Sequence, residues 1–314
     1  MMETTKAQVP SVRRSPSPLA IGAGMLTVYI VWGSTYLAIR FAVQTMPPFL
    51  MAAARFLIAG VVLFVVRRAL GDTAPSGREW RSAAMVGLLL LLGGNGSVVW
   101  AEQRVNSGHA ALMVSAAPLW MVLIDMLRPG GQRPSWPAMA GVLVGFAGVV
   151  LLIWSDAGRT DRIDPLGAAV LVLATMSWAI GSLYSRQAAL PVSPLLGTGM
   201  EMLIGGLGFV ALGTVTGEWD RLNLAAISRE SWLGLGYLIV FGAWLGFGSY
   251  MWLLRVAPTS LVSTYAYVNP IVAVFLGNWL AAESLTPHTL IAATVIVGSV
   301  ALMTMANQNV KRDA

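Results

Sequence analysis

The 314-residue sequence contains no cysteine, only two histidines and few charged side chains. The lack of cysteine excludes disulfides, cysteine metal ligands and thiol catalysis, although it does not indicate a compartment. Charged residues make up 11% of the chain, whereas a soluble domain carries roughly 25%. Hydrophobic residues make up 56%, and the mean hydropathy is +0.71. These values predict an integral membrane protein.

Long apolar runs fill most of the sequence. A helix needs about 20 mostly apolar residues to cross a bilayer. Ten runs meet this requirement, at 19–41, 48–67, 80–101, 107–127, 135–154, 165–186, 193–215, 230–254, 259–280 and 286–306. We expect residues 1–18 and 307–314 to form cytoplasmic tails, the first of them disordered. Because the first run is long and leads into further membrane sequence, we do not expect a cleaved signal peptide.

The net charge of +6 suggests a nucleic-acid ligand, but the distribution of the basic residues argues against one. Most Lys and Arg residues lie in short loops between the apolar runs, which is the pattern that orients helices in membranes. With the N-terminus inside, the inner segments hold most of these residues. The sequence therefore predicts that both termini face the cytoplasm.

The second half of the sequence repeats features of the first. At an offset of 146 residues, Trp32 aligns with Trp178 and Arg40 with Arg186. Further matches are Pro48 with Pro194, Leu50 with Leu196, Gly60 with Gly206, Arg55 with Glu201 and, at an offset of about 152, Pro118 with Pro270. Five spans per copy is an odd number, so the second copy enters the membrane from the opposite side. The prediction is a first repeat at 19–154 and an inverted second repeat at 165–306.

Five stretches resemble the EamA-type branch of the drug/metabolite transporter superfamily, and within it the YedA-like exporter group. They are "VYIVWGSTYLAIRFAVQTMPPFLMAAARFLIAG" (28–60), "GNGSVVWAEQRVNSGHAAL" (94–112), "SWAIGSLYSRQAALPVSP" (177–194), "GMEMLIGG" (199–206) and "STYAYVNPIVAVFLG" (263–277). The resemblance implies an all-α membrane fold of ten transmembrane helices in two inverted five-helix repeats around a central cavity. It also implies transport of small metabolites, often outward, across the bacterial inner membrane.

The chain departs from this group at two positions between spans three and four. Asn106 stands where the group usually has proline, and His109 is also atypical. We expect the turn between these spans to differ in rigidity from that of the group.

Polar and aromatic side chains on inward helix faces form a candidate substrate-binding site. An amide in hydrocarbon is costly unless it has partners, so Asn95 should face a wet cavity or another helix. Aromatic and amide groups suit an amphipathic or flat solute. Core packing, a helix–helix hydrogen bond or an interfacial belt are the alternatives. The candidates are Trp32, Tyr36, Asn95, Trp100, Trp178, Tyr265, Tyr267 and Asn269.

Glycine and proline interrupt several spans. Gly93, Gly94 and Gly96 weaken the helix in span three, and the sequence leaves open whether they allow close packing or flexing. Pro118 and Pro270 each remove a backbone hydrogen bond from spans four and nine. The kinks that they predict suit gating helices, or they shape a static cavity.

Three charged residues, Arg55, Glu102 and Glu201, lie within or beside spans. Intramembrane ionisable groups are functional candidates by default. Arg55 could bind a carboxylate substrate or pair with Glu102, and Glu201 could carry a proton that drives exchange. Fixed salt bridges or snorkelling toward the nearer surface are the structural alternatives.

Other side chains near span ends are expected to have structural roles. Asp125 and Arg128 should pair at an inner helix end, and Glu283 should be a loop charge. The tryptophans expected in an interfacial belt are Trp136, Trp154, Trp219, Trp232 and Trp279.

Among the function classes, a carrier fits best. The sequence lacks HExxH, GxSxG, a Gly-rich phosphate loop and an acidic cluster, so we expect no enzyme activity, metal or cofactor. It also lacks the rings of like charge common in channels. The inverted duplication favours alternating access, around a site lined by spans 1, 3, 4, 6, 8 and 9. The expected substrates are amino acids or related amphipathic compounds, with drug efflux and a passive channel as alternatives.

The expected partners are a small-molecule substrate, the lipid bilayer and, as a candidate coupling ion, the proton. We expect no nucleic acid and no obligate protein partner.

Overall fold

The structure is a computed structural model that describes residues 17–128, 131, 134–155 and 163–310. Most of the predicted N-terminal tail, at 1–16, and the final residues 311–314 lie outside the described residues.

Ten long helices, numbered here in chain order, occupy the described residues. They are α1 (Pro18–Ala42), α2 (Pro48–Ala69), α3 (Gly77–Ala101), α4 (Ser107–Leu127), α5 (Trp136–Ser155), α6 (Pro165–Ser185), α7 (Pro194–Val215), α8 (Arg229–Val256), α9 (Tyr265–Ala281) and α10 (Pro287–Val310). Eight of them are long and apolar enough to cross a membrane, and α9 and α10 contain shorter apolar stretches. Each predicted span coincides with one of these helices.

Helices α2 and α7, which correspond in the two halves, share features at both ends. Ser193 caps the start of α7 and Pro194 occupies its first turn, as Pro48 does in α2. After α2 and α7 the chain turns at Gly71 and Gly217, whose φ angles are +95° and +68°. Only glycine adopts such angles without strain. These two glycines lie 146 residues apart, which is the offset of the sequence repeat.

Helices that correspond in the two halves pack against each other. The most extensive contacts join α2 to α7 and α5 to α10. Gly60 and Gly206 lie at the α2–α7 crossing, where an added Cβ atom would be 2.9 Å from the Leu203 nitrogen and 2.7 Å from Leu57, respectively. Small residues of this kind let membrane helices approach closely. The other six helices, α1, α3, α4, α6, α8 and α9, contact one another between these two pairs.

Several helices depart from regular α geometry. Helix α4 is interrupted by a turn at Ser115 and Ala116, and Pro118 lies in the first turn of its second part. Pro270 lies inside α9, which a short helix at Thr259–Val262 precedes. The π-helical segments are Val28–Trp32 in α1, Gly87–Gly96 in α3 and Leu238–Phe247 in α8. The segments in α3 and α8 have the same length and occupy corresponding positions in the two halves.

The two ends of the helix bundle are named here by the predicted orientation. The outer end holds the loops α1–α2, α3–α4 and α9–α10, and the inner end holds the loops α2–α3, α6–α7 and α8–α9. The tryptophans predicted for the interfacial belt are all exposed.

Candidate functional site

A cavity of about 60 Å³ lies at the centre of the molecule, between the two halves. Six of the eight predicted substrate-binding residues line it: Trp32, Tyr36, Asn95, Trp178, Tyr265 and Asn269. The lining residues that the sequence analysis missed are Thr35, Ile39, Phe56, Leu91, Val98, Val114, Ala174, Gly242 and Phe247. Most of these are apolar and resemble ordinary core positions, so only their spacing from the polar candidates could have indicated them. Helix α2 also contributes Arg55 and Phe56 to the cavity wall, although it is not among the six spans predicted to line the site.

Two tryptophans meet beside this cavity. The ring centroids of Trp32 and Trp178 are 5.3 Å apart, with an edge-to-face geometry. Each indole also packs on a glycine of the opposite half. A Cβ atom added to Gly246 would lie 2.5 Å from Trp32, and one added to Gly94 would lie 2.8 Å from Trp178. The two contacts are equivalent under the internal repeat.

The other glycines of α3 also lie at close contacts. An added Cβ atom at Gly93 would collide with the side chain of Ser177, and one at Gly96 would lie 2.5 Å from Phe209. Neither glycine lines the cavity, whereas Gly94 does. A larger residue at any of the three positions would force a side chain of a neighbouring helix to move.

Two predicted substrate-binding residues lie away from the cavity. The Trp100 ring lies under the guanidinium of Arg104, at 4.9 Å, near the outer end of α3. The Tyr267 hydroxyl donates a hydrogen bond of 2.9 Å to the carbonyl of Val300 on α10. Tyr267 is two residues from both Tyr265 and Asn269, so it points to another face of α9.

Arg55 contributes a buried guanidinium to the cavity wall. Its residue surface is 2% exposed, and its Nη1 donates to the Asn95 side-chain oxygen at 3.4 Å. Its Nε has no hydrogen-bond partner among the described residues. The ion pairs that the described residues form are Arg40–Glu283, Arg67–Asp72, Arg104–Asp164 and Arg128–Asp125, and Arg55 is in none of them. The predicted Asp125–Arg128 pair is thus confirmed, whereas an Arg55–Glu102 salt bridge is absent from this part of the chain.

Glu102 lies one residue beyond the end of α3 and is also buried. Within the described chain, neither carboxyl oxygen has a hydrogen-bond partner. Burial, followed by the nearby charge of Glu283, raises the pKa of the Glu102 carboxyl well above its usual range, although Arg40 and Arg55 act in the opposite direction. The carboxyl is therefore biased toward its neutral form.

A buried polar cluster closes the outer end. Glu283, in the α9–α10 loop, accepts hydrogen bonds from the Arg40 guanidinium, from the Ser107 nitrogen (2.9 Å) and hydroxyl (2.6 Å), and from the Gly108 nitrogen (3.0 Å). Arg40 also donates to the Asn106 side chain at 3.1 Å. Glu283 is a loop residue, as predicted, but it is buried and it caps the N-terminus of α4. A carboxylate is favourable at that helix end.

The inner end is closed by the Tyr250 layer, in which the Tyr250 ring packs against the rings of Trp32, Trp178 and Tyr265. Tyr250 of α8 is fully buried, and its hydroxyl hydrogen-bonds Ser182 (2.7 Å) and accepts from the Trp178 indole (3.2 Å). On the inner side of this layer is a cavity of about 280 Å³ that Arg186 and Arg255 line. Arg186, the repeat counterpart of Arg40, donates to the Leu254 carbonyl at 3.0 Å.

Glu201 lies within α7, away from the central cavity. It is fully buried, and neither carboxyl oxygen has a hydrogen-bond partner within the described ranges. Its backbone packs on α3, where an added Cβ atom at Gly87 would be 2.5 Å from the Glu201 carbonyl oxygen.

Comparisons with known proteins identify relatives along almost the whole chain. The EamA-like transporter family matches residues 20–154 and 165–305. The uncharacterized inner membrane transporter YedA of Escherichia coli strain K12 is 37% identical over 289 residues, which cover 91% of each chain. A WAT1-related chloroplast protein of Arabidopsis thaliana is 25% identical over 292 residues, which cover 91% of this chain and 69% of that protein.

A solved crystal structure shares the fold, with a TM-score of 0.67 at 21% sequence identity, and the match covers 94% of this chain and 99% of the other. Together with the ten helices, these matches define a multi-pass integral membrane protein built from two inverted five-helix repeats. The chain belongs to the EamA-like transporter family.

Replacing Gly246 with alanine should destabilise the protein. The added methyl group would lie 2.5 Å from Trp32, and the Trp32 ring has little room to move because it packs against the rings of Trp178, Tyr250 and Tyr265. We expect the free energy of unfolding to fall by about 1–3 kcal/mol, which is typical of overpacking. Denaturant unfolding of the purified protein measures the change.

Gly248→Ala is the matched control on the same helix. An added Cβ atom there would meet Leu195 at an ordinary 3.6 Å, so the variant should keep or gain stability. Equal stability of the two variants would contradict the role of the tryptophan–glycine contact.

Proposed function

We propose that this protein is a secondary transporter that exports small amphipathic metabolites, such as amino acids or related compounds, by alternating access. The supporting observation is the central cavity, which residues of both inverted halves line. Transporters built from inverted repeats bind their substrates at this interface, near the middle of the membrane. Membership of a transporter family supports membrane transport in general.

The proposed substrate contacts follow from the cavity wall. Trp32, Trp178 and Tyr265 provide aromatic surfaces for the apolar part of a solute. Asn95 provides an amide group that can both donate and accept hydrogen bonds. The Asn269 amide nitrogen donates to the carbonyls of Tyr265 and Tyr29, which leaves its oxygen as an acceptor. A cavity of about 60 Å³ is smaller than the roughly 150 Å³ cavity that holds one benzene molecule. On this proposal the cavity must widen before a solute of that size binds.

The proposed conformational cycle opens one end at a time. The Arg40–Glu283 cluster forms the outer barrier, and the Tyr250 layer forms the inner barrier. Rocking of the two halves would separate one barrier while the other stays closed. The presence of both barriers in one structure favours a carrier over a passive channel.

Purified protein in proteoliposomes should show saturable flux and counterflow exchange with members of a panel of amino acids and amphipathic drugs. A carrier saturates because each cycle moves one bound solute. Linear, unsaturated flux with measurable conductance would contradict the carrier proposal in favour of a channel.

Asn95→Ala tests the cavity within the same assay. The substitution removes the amide at the cavity wall and should lower flux at least ten-fold at unchanged protein amount. Gln103→Ala is the matched control because Gln103 carries the same amide on the exposed outer end of the same segment. Unchanged flux in Asn95→Ala would assign Asn95 to helix packing instead.

Glu283→Gln should open the outer barrier more often. The variant keeps an acceptor oxygen but removes the charge opposite the Arg40 guanidinium, whose side chain is 30% exposed, so the hydrogen bond that remains is weaker. Because the protein has no cysteine, a single Val98→Cys at the cavity wall reports access. Its rate of labelling by a membrane-impermeant thiol reagent, added outside intact cells, should rise at least ten-fold with Glu283→Gln.

Asp164→Asn provides the control for this experiment. It removes the charge from the exposed Arg104–Asp164 pair at the same end, and exposed pairs contribute little. Labelling that is equally fast in the parent and in Glu283→Gln would contradict the proposed barrier.

Glu201 is the proposed proton carrier. A buried carboxyl without hydrogen-bond partners is costly when ionised, and neither Glu201 oxygen has a partner within the described ranges. Proton uptake and release at Glu201 would therefore follow changes in its surroundings during the cycle. Glu201→Gln should abolish the dependence of flux on an imposed pH gradient and retain counterflow exchange. Glu230→Gln, an exposed carboxyl in the first turn of α8, is the control. A variant with unaltered pH dependence would remove Glu201 from this role.

A further inference from the structure

Arg55 is a cation without an anion at the wall of a central cavity. It is buried, and it forms no ion pair within the described ranges. Its hydrogen bond to the neutral amide of Asn95 is long, at 3.4 Å. Its Nε donor is unsatisfied in this part of the chain. A buried guanidinium in this condition is costly, and an anion that enters the cavity would remove much of the cost.

Glu102 is the internal group best placed to neutralise Arg55, but the structure does not use it in this way. Its carboxyl oxygens and the Arg55 Nε are all without hydrogen-bond partners within the described chain. The two side chains are close enough to influence each other electrostatically, yet they form no ion pair in the described ranges. An internal salt bridge therefore does not account for the burial of Arg55.

The groups around Arg55 indicate which kind of anion would fit beside it. A guanidinium presents two parallel donors that match a carboxylate. The Asn95 amide accepts from Arg55 through its oxygen, which leaves its nitrogen able to donate to the same anion. The other walls are aromatic or aliphatic, including Phe56, Trp32 and Trp178. One positive charge in an apolar cavity matches a monoanion better than a doubly charged phosphate.

We propose that Arg55 and Asn95 form a carboxylate subsite, so that the transported solute is an organic carboxylate with an apolar body. The inference rests on the proposed transport function and narrows it. Neutral and cationic solutes of the same shape would leave the guanidinium unpaired. They should therefore bind less tightly than the carboxylate.

The test compares three probes that share one apolar body: 3-phenylpropionate, 3-phenylpropionamide and 3-phenylpropylamine. Isothermal titration calorimetry with the purified full-length protein measures their binding. We expect the carboxylate to bind at least ten-fold more tightly than the amide or the amine. Arg55→Gln should remove this preference and leave binding of the amide within about three-fold.

Three further variants keep the test decisive. Arg55→Lys retains the positive charge without the two-donor geometry. Its affinity for the carboxylate should therefore lie between those of the unmodified protein and of Arg55→Gln. It replaces Arg55→Gln in the test if that variant does not fold. Glu102→Gln should leave carboxylate binding within about three-fold. Arg104→Gln removes an exposed cation at the outer end and is the matched control.

Each outcome separates the subsite from transport itself. Saturable flux with equal affinity for the three probes, unchanged by Arg55→Gln, would overturn the subsite and leave the carrier proposal standing. Carboxylate binding that depends on Arg55, without saturable flux, would support the subsite and overturn the carrier. No carboxylate preference, together with equal losses of stability in Arg55→Gln and Glu102→Gln, would identify an internal Arg55–Glu102 interaction instead.

Discussion

The contact between Trp32 and Trp178 joins the two halves of the molecule beside the central cavity. Each indole belongs to the first helix of its repeat and packs on a glycine of the other repeat, Gly246 or Gly94. Both glycines lie in the ten-residue π-helical segments of α3 and α8, so the wide turns and the close contacts coincide in each half. The central cavity lies beside these rings, and its width depends on how closely the glycines let the helices approach. A side chain at either glycine would therefore alter the whole interface between the repeats.

The two ends of the bundle share a backbone plan but not a chemistry. Arg40 and Arg186 correspond under the repeat, yet Arg40 meets a buried carboxylate and Arg186 meets a backbone carbonyl. The difference comes from Glu283, because its loop brings an acid to α4 at the outer end only. Asn106 adds a second acceptor for Arg40 at the position where the sequence departs from its family group. Duplication thus supplied the symmetric frame, and single residues made the two closures unequal.

The fold was predictable from the sequence because the bilayer constrains it strongly: spans follow from apolar length, and inversion follows from an odd number of spans per repeat. Much of the cavity wall was also predictable from the sequence. Trp32, Asn95 and Trp178 are polar or aromatic residues in apolar helices. Three further residues that were predicted on the same grounds line the cavity with them: Tyr36, Tyr265 and Asn269. Trp100 and Tyr267 show the limit, because residue type does not indicate which face of a helix meets the cavity. The burial of Glu283 could not be predicted, since it depends on a loop folding back onto α4. The gaps therefore lie in side-chain direction and loop position, which hydropathy does not encode.

The charged groups between the cavity and the outer end influence one another electrostatically. Glu102 is influenced by Arg55 on the cavity side and by Arg40 and Glu283 on the outer side. Burial already biases Glu102 toward its neutral form, so an anion paired with Arg55 would leave that form unchanged. A neutral Glu102 exerts no pull on Arg40 and leaves it to Glu283. On the proposed mechanism, the outer barrier therefore depends on the ion pair of Arg40 with Glu283, whereas the inner barrier depends on the packing and hydrogen bonds of Tyr250.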